Sequence, residues 1–412
     1  MTKITFKQLQ EKLLNWEKYP GCEKFPSGPM INEGFPTNFN LSFSWYEWIE
    51  ENKGVSGDKI QYIDFNKDLV YSKTQPCIRP QDWKKLIDNQ ENKYRYLSYF
   101  HMTDVSGFMT ATGKEKREEF AKFSIKSLLD FFKDQGLDLS KVYVSYLAGG
   151  EVSELTAGKY NFDFYVPEDP FLEEWIKNGV PRENMMPDKS RNTLLALKNY
   201  SRPTPWGYRN EIHYKHNGKL LDIATIEHIT FKPLFDSDMN IVGLTDYQNS
   251  ISASVVGVER LLMVLNDYKD IREVDIIQPI YDLLYTKVEA MSEYDADMIV
   301  QALRPVHAIV ADGGHWSALN KRRREIIRSF YMEFADAWSR NNLNIHDPLL
   351  RELLELNAEL LGYEKLQNSI DDTIEEIKSR IEIMSKNKHL PTEVRERYKV
   401  IFTNEFMGGD YA

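Results

Sequence analysis

Arg260 is the residue whose position most invites a chemical explanation. It lies in Ser252-Ala-Ser-Val-Val-Gly-Val-Glu-Arg-Leu-Leu-Met-Val-Leu265, a small-residue strand pattern that runs through Gly257 into an apolar helical pattern. A cation there occupies the first turn of a helix, where the helix dipole favours negative charge. Two readings are open. Arg260 is a surface arginine or the partner of Glu259, or it is aimed across a sheet at a phosphate-bearing ligand. Glu227 raises a similar question. Leu221, Ile223, Thr225, Glu227, Ile229 and Phe231 share one face of a predicted strand. A carboxylate on an otherwise apolar face is costly unless it is paired or bound to a ligand. A third concentration of chemistry is basic: Lys321, Arg322, Arg323, Arg324 and Arg328. On a helix these spread around more than one face, which suits either solvation or a nucleic-acid contact.

The sequence shows no convincing set of nucleophile, base and orienting residue. It has no C-x-x-C or H-x-x-x-H pattern either, so zinc is not implied. Cys22 and Cys77 make neither a disulfide framework nor a metal cluster. A formal charge of −11 over 412 residues argues against a chain coated for nonspecific nucleic-acid binding, without excluding a local basic face. Hydrophobic residues at 42% and aromatics at 13% suit a globular protein large enough for two domains. No run of about 18 apolar residues is present, and the N-terminus lacks the apolar stretch of a signal peptide, so a cytoplasmic location is expected.

The elements that would position these residues follow from periodicity. Residues 5–18 predict a short amphipathic helix through Phe6, Leu9, Leu13 and Leu14, and 20–58 are turn-rich. Ile60–Phe65, Leu69–Tyr71 and Gln75–Arg79 read as strands. A polar loop over 80–94 leads to a return strand, Arg95–Met102. Phe120, Phe123, Leu128, Phe131 and Phe132 mark a helix over 115–134 that Gly136 is placed to end. Val142–Leu147 is a strand, and a helix is expected around Phe171–Asn178. Asn217-Gly218 then joins two strands, 210–214 and 219–231, as a tight hairpin. From Gln278 to Lys386 the pattern is helical almost without a break, so a boundary is expected near 267–275.

In order, Gln75-Pro-Cys-Ile-Arg79-Pro-Gln-Asp82, the return strand Arg95-Tyr-Leu-Ser-Tyr-Phe-His-Met102, the hairpin and Gly257-Val-Glu-Arg260 resemble the motifs of class II aminoacyl-tRNA synthetases. The resemblance is nearest to the alanyl-tRNA synthetase family, whose later strand reads much like Leu221-Asp-Ile-Ala-Thr-Ile226. Leu303-Arg-Pro-Val-His-Ala-Ile-Val-Ala-Asp-Gly313 and Arg322–Arg328 look like that family's helical middle domain, which docks the tRNA acceptor stem. The resemblance implies an α+β fold. An antiparallel sheet flanked by helices forms an adenylation domain over 1–270, and an all-helical domain over 271–412 follows.

It also implies ATP-dependent activation of an amino acid, or a related carboxylic acid, as its adenylate with release of pyrophosphate, then transfer to tRNA. The alternative acceptor is a small molecule, peptide or carrier protein. Arg79 would hold the ATP α-phosphate and Arg260 the γ-phosphate end. Asp82, Arg95, Phe100 and Gly257 would complete the ATP site, with Phe100 as a stacking face for adenine. Glu211 and Glu259 would help to place Mg2+. The acid pocket would include His101, Met102, Thr225, Glu227 and Ala253, and the tRNA or other acceptor would meet Lys321, Arg322, Arg323, Arg324 and Arg328.

Three departures matter. The family's ammonium-binding aspartate aligns with Ala253, its first glycine in the third motif with Val255, and a return-strand glutamate with His101. Glu227 stands where the family is apolar, and two readings follow: Glu227 carries a relocated ammonium contact, or the acid activated is not alanine or not an α-amino acid. The resemblance also stops short of the family's editing and oligomerisation domains. Selectivity is therefore expected to rest on the pocket alone.

Overall fold

Asn217 and Gly218 both take positive φ, 48° and 77°, the geometry a two-residue hairpin turn demands. The sheet grows outward from that hairpin. In this computed structural model, residues 3–16, 21–31, 69–88, 90–109, 114–198, 203–238 and 240–403 are described. The strand expected over Ile60–Phe65 and most of the turn-rich 20–58 stretch lie outside them.

The strands are β1 (Glu23–Lys24), β2 (Leu69–Ile78), β3 (Tyr99–Met109), β4 (Val142–Leu147), β5 (Gly150–Glu151), β6 (Tyr165–Val166), β7 (Met185–Asp188), β8 (Leu194–Lys198), β9 (Pro203–His216), β10 (Lys219–Phe235) and β11 (Ile241–Gly257). One sheet runs β1-β2-β3-β11-β10-β9-β4-β7, with β8 paired to β9, and β5-β6 is a separate pair. The protein is α+β. The sheet is mixed rather than purely antiparallel, because β1 runs parallel to β2 and β7 parallel to β4. Its long central strands are all antiparallel.

Among the helices, α1 (Phe6–Leu14) starts at a Thr5–Gln8 capping box and buries Phe6, Leu9 and Leu13. The polar stretch after Arg79, expected to be a loop, is instead α2 (Pro80–Asp88) followed by a 3-10 turn over Gln90–Arg95. The reason is spacing. Trp83 and Leu86 lie three residues apart on one buried face, and Pro80 sits in the first turn, where its missing N–H costs nothing. The return strand accordingly starts at Tyr99 rather than Arg95.

Helix α3 (Lys114–Asp134) packs on the sheet, and Gly136 follows it at φ 85° as expected. Two short helices, α4 (Val152–Leu155) and α5 (Leu172–Lys177), precede α6 (Val258–Leu265), which continues directly from β11. The helical half comprises α7 (Gln278–Lys287), α8 (Glu293–Ala311), α9 (Lys321–Arg340), α10 (Pro348–Leu361), α11 (Glu364–Asn368), α12 (Ile370–Ser385) and α13 (Thr392–Val400). One apolar core runs from Phe6 to Ile401 across both halves. Polar ties cross the same seam: Trp83 Nε1 donates to Ser329 Oγ at 2.8 Å, and Lys93 reaches Asp297 at 3.0 Å. No helix among the described residues is long and apolar enough to cross a membrane.

Candidate functional site

A cavity of about 510 Å³ opens over the middle of the sheet, where β2, β3, β9, β10 and β11 meet α2 and α6. The pleat decides which side chains reach it. Successive residues of a strand face opposite sides, so Phe100 and Met102 of β3 line the cavity while His101 between them does not. The register sets the rows. Glu211 lies opposite Thr225, and Thr225 opposite Val255. One step further in, Arg209 lies opposite Glu227, and Glu227 opposite Ala253.

Arg79, Asp82, Arg95 and Arg260 form one wall of the cavity. Arg79 leaves the end of β2 with 42% of its side chain exposed and, among the described residues, only Asp82, at 3.9 Å, as an ionic neighbour. Arg95 donates from Nη2 to Tyr96 Oη at 3.1 Å, while its buried Nε has no hydrogen-bond partner among the described residues. Arg260 is more tightly held. It pairs with Asp222 at 2.9 Å, donates from Nε to the Arg95 carbonyl at 3.2 Å and lies 3.8 Å from Asp82. The arginine at the helix start is thus neither a surface residue nor a partner of Glu259.

Glu259 is committed elsewhere. Its carboxylate accepts from the His101 backbone N–H at 2.9 and 3.1 Å and lies 2.7 Å from His101 Nδ1. His101 is completely buried, with its ring against Phe6 and Tyr99. The expectation that His101 belongs to the substrate pocket is therefore corrected, because the pleat turns it to the back of the sheet. Ala253 lies opposite Glu227 in the register and is fully buried, and it is not among the residues that line the cavity.

The far end of the cavity is rich in charge. Arg209 Nε donates to Glu227 Oε1 at 2.9 Å, so Glu227 has an ion-pair partner. Glu211 accepts from Thr225 Oγ1 at 2.8 Å and lies 3.9 Å from Arg209. Burial, with Asp222 and Glu227 nearby, pushes the Glu211 carboxyl up to about 7. Burial likewise lowers His213. The polar layer continues along the same face of the sheet. Lys73 and Asp104 lie opposite one another, and Tyr71 Oη and Ser106 Oγ both donate to Asp104. Burial raises the Asp104 carboxyl to about 6, against the pull of Lys73.

Among the described residues, no group of three or more His, Cys, Asp or Glu side chains gathers as a ready metal site. The two carboxylates expected to help place Mg2+ both line the cavity, but Glu259 is also engaged by the His101 N–H and ring. Magnesium commonly takes one or two carboxylates together with substrate phosphate oxygens, and Glu211 fits that limited share.

The basic cluster divides. Lys321, Arg322 and Arg328 are exposed, with Arg322 paired to Glu325 at 2.9 Å. Arg323 is buried, and Arg324 donates from Nε to the Trp316 carbonyl at 2.9 Å.

Sequence reasoning missed Arg209, His213 and Asp222, all of which line the cavity. Alternation through Glu211 would have found the first two. The expected shared face of β10 also ends early. Thr230 is skipped in both of its ladders, and this bulge turns Phe231 to the other side of the sheet. No protein-family model matches the chain, and no curated protein matches it.

Proposed function

We propose that the chain activates a carboxylic acid, an amino acid by its resemblance, as an acyl-adenylate in a site of the class II synthetase kind. The observation that carries this reading is the convergence of Arg79, Arg95 and Arg260 on one wall, with Phe100 beside them and the Arg95 Nε unpaired. These residues come from three separate segments, and a wall of guanidinium groups is suited to a polyphosphate. Arg79, the most loosely held, would orient the α-phosphate. Arg260 would exchange Asp222 for the γ-phosphate end, and Phe100 would stack on adenine.

The reaction then needs placement more than proton transfer. A carboxylate oxygen of the acid attacks the α-phosphorus in line, the bond to the bridging oxygen of the β-phosphate breaks, and pyrophosphate leaves. Mg2+ held by Glu211 and phosphate oxygens would neutralise charge on the leaving group. The acid would lie toward Met102, Thr225 and Glu227. Exchange of labelled pyrophosphate into ATP, driven by a panel of amino, hydroxy and keto acids, tests the reading. Exchange is expected with at least one acid and is lost in Arg79→Ala. ATP binding without exchange for any acid would overturn it.

Transfer to tRNA is the first acceptor reading, supported by the exposed Lys321, Arg322 and Arg328 on a helix packed against α2 through Trp83. Transfer to a small molecule, peptide or carrier protein is the second. It is favoured by the engagement of Arg323 and Arg324 within the fold, which leaves a smaller basic face. Charging of bulk tRNA by the purified protein separates the two.

A further inference from the structure

The opposite face of the sheet holds a second cavity, of about 210 Å³. It lies between β10 and β11, the start of α3 and the segment 167–171. The Thr230 bulge shapes it. Because Thr230 is left out of both ladders, Ile229, Thr230 and Phe231 in succession all reach the cavity wall. Gly207 permits this path, since a Cβ there would stand 2.0 Å from the His228 carbonyl oxygen.

The walls are mostly flat and apolar: Phe171, Tyr208, Phe231 and Pro170. The Phe171 ring lies 4.5 Å from the His228 ring, and the Tyr208 and Phe231 rings are 5.7 Å apart. Glu168 and Asp246 are exposed at the rim.

The polar groups of this cavity are incompletely used. His228 is 1% exposed, and its Nδ1 lies 3.0 Å from Ser252 Oγ. Among the described residues its Nε2 has no hydrogen-bond partner, and neither does Thr230 Oγ1. One register step away on the same face, Asn210 Oδ1 and Ser254 Oγ are also buried without partners. Buried polar atoms are nearly always satisfied, so such a group in a cavity asks for an occupant. Burial lowers His228 to about 3, so the ring is neutral and Nε2 can serve a neutral group.

We propose that this cavity is a second binding site, separate from the first, for a small neutral molecule with a planar aromatic body and one hydrogen-bonding group. An apolar cavity of about 150 Å³ already suffices for benzene. The bare ring would leave His228 Nε2 and Thr230 Oγ1 unsatisfied, whereas a phenol or indole supplies a partner.

The test uses the full chain with phenol, indole and benzene as probes, measured by ligand-observed magnetic resonance and calorimetry in the presence and absence of ATP. Phenol or indole is expected to bind at least about tenfold more tightly than benzene, the effect of one satisfied buried group. ATP should not displace it. The double variant His228→Leu/Thr230→Val should erase the preference over benzene, and Ala121→Leu, at a residue of α3 that lines the cavity, should abolish binding of all three. A crystal structure of the unaltered protein soaked in phenol covers the case in which a variant fails to fold. Phenol in the cavity with its oxygen on His228 or Thr230 supports the site. Ordered waters alone, displacement of the probe by ATP, or binding unchanged in a folded Ala121→Leu protein would overturn it.

Discussion

Arg79 and Arg260 share a side chain but differ in how the fold holds them, and their variants should differ accordingly. Arg79 has little to hold it besides a distant Asp82, so Arg79→Ala should leave stability almost unchanged. Pyrophosphate exchange should nevertheless fall by about 10²–10³, the usual effect of removing a donor from developing charge. Arg79→Lys should recover little of it, since a point charge cannot replace a fork. Steady-state exchange together with thermal melting checks both halves of the expectation.

Asp104 offers a pH test. Its native carboxyl is raised to about 6 from an ordinary value of 3.8, chiefly by burial. An acid with a raised native pKa binds more protons folded than unfolded between those two values. Its contribution therefore favours the fold below about pH 3.8 and is lost as pH rises through about 6. Asp104→Asn should remove the corresponding fall in unfolding free energy between pH 4 and 6, measured by urea titration at stepped pH.

At the scale of elements, the junction from β11 to α6 depends on a buried carboxylate that ties it to β3. Glu259 receives the His101 N–H and faces its ring, tying α6 to β3 beneath the cavity. Arg260 is the next residue, so its aim depends on that tie. Glu259→Ala would leave a buried N–H and imidazole unsatisfied, and should lower the unfolding free energy by about 2–4 kcal/mol. Exchange activity at a temperature where the variant is still folded should also fall, because Arg260 is displaced.

Helix α2 carries a lesson at this scale. Its sequence is polar on average, and averaging hides Trp83, which packs against Phe330 of α9, and Leu86, buried three residues further on. The hairpin and α3 were legible because their signals are local: an Asn-Gly turn, and a phenylalanine stripe closed by a glycine.

At the scale of the whole molecule, the sheet and the helical half are joined by one core rather than a linker. Arg304 of α8, fully buried, donates to the Tyr99 carbonyl at 3.3 Å and to Asn357 Oδ1 at 3.3 Å. Ser98 N–H donates to Gln301 Oε1 at 3.2 Å. Calorimetry should accordingly show one cooperative unfolding transition, and a chain cut after Asp270 should lose the native near-ultraviolet signal of its sheet half. Two separate transitions would show the halves to be independent.

While the α+β class was expected from the resemblance, the sequence by itself determined the hairpin, the helical second half and the segments that carry Arg79, Arg95, Glu211 and Arg260. Those follow from periodicity, turn chemistry and motif order, which are properties of short stretches. Only the tertiary structure decided which side of the sheet each residue serves. The pleat of β3 sent His101 to the back, the register put Arg209 against Glu227, and a single bulge at Thr230 turned Phe231 away from the first cavity to help build the second. A one-residue change of phase along a strand reverses a side chain, and neither bulges nor long-range pairing are written in any local pattern. The odd arginine at residue 260 drew attention in the sequence, but its distances to Asp222, Asp82 and the Arg95 carbonyl belong to the fold alone.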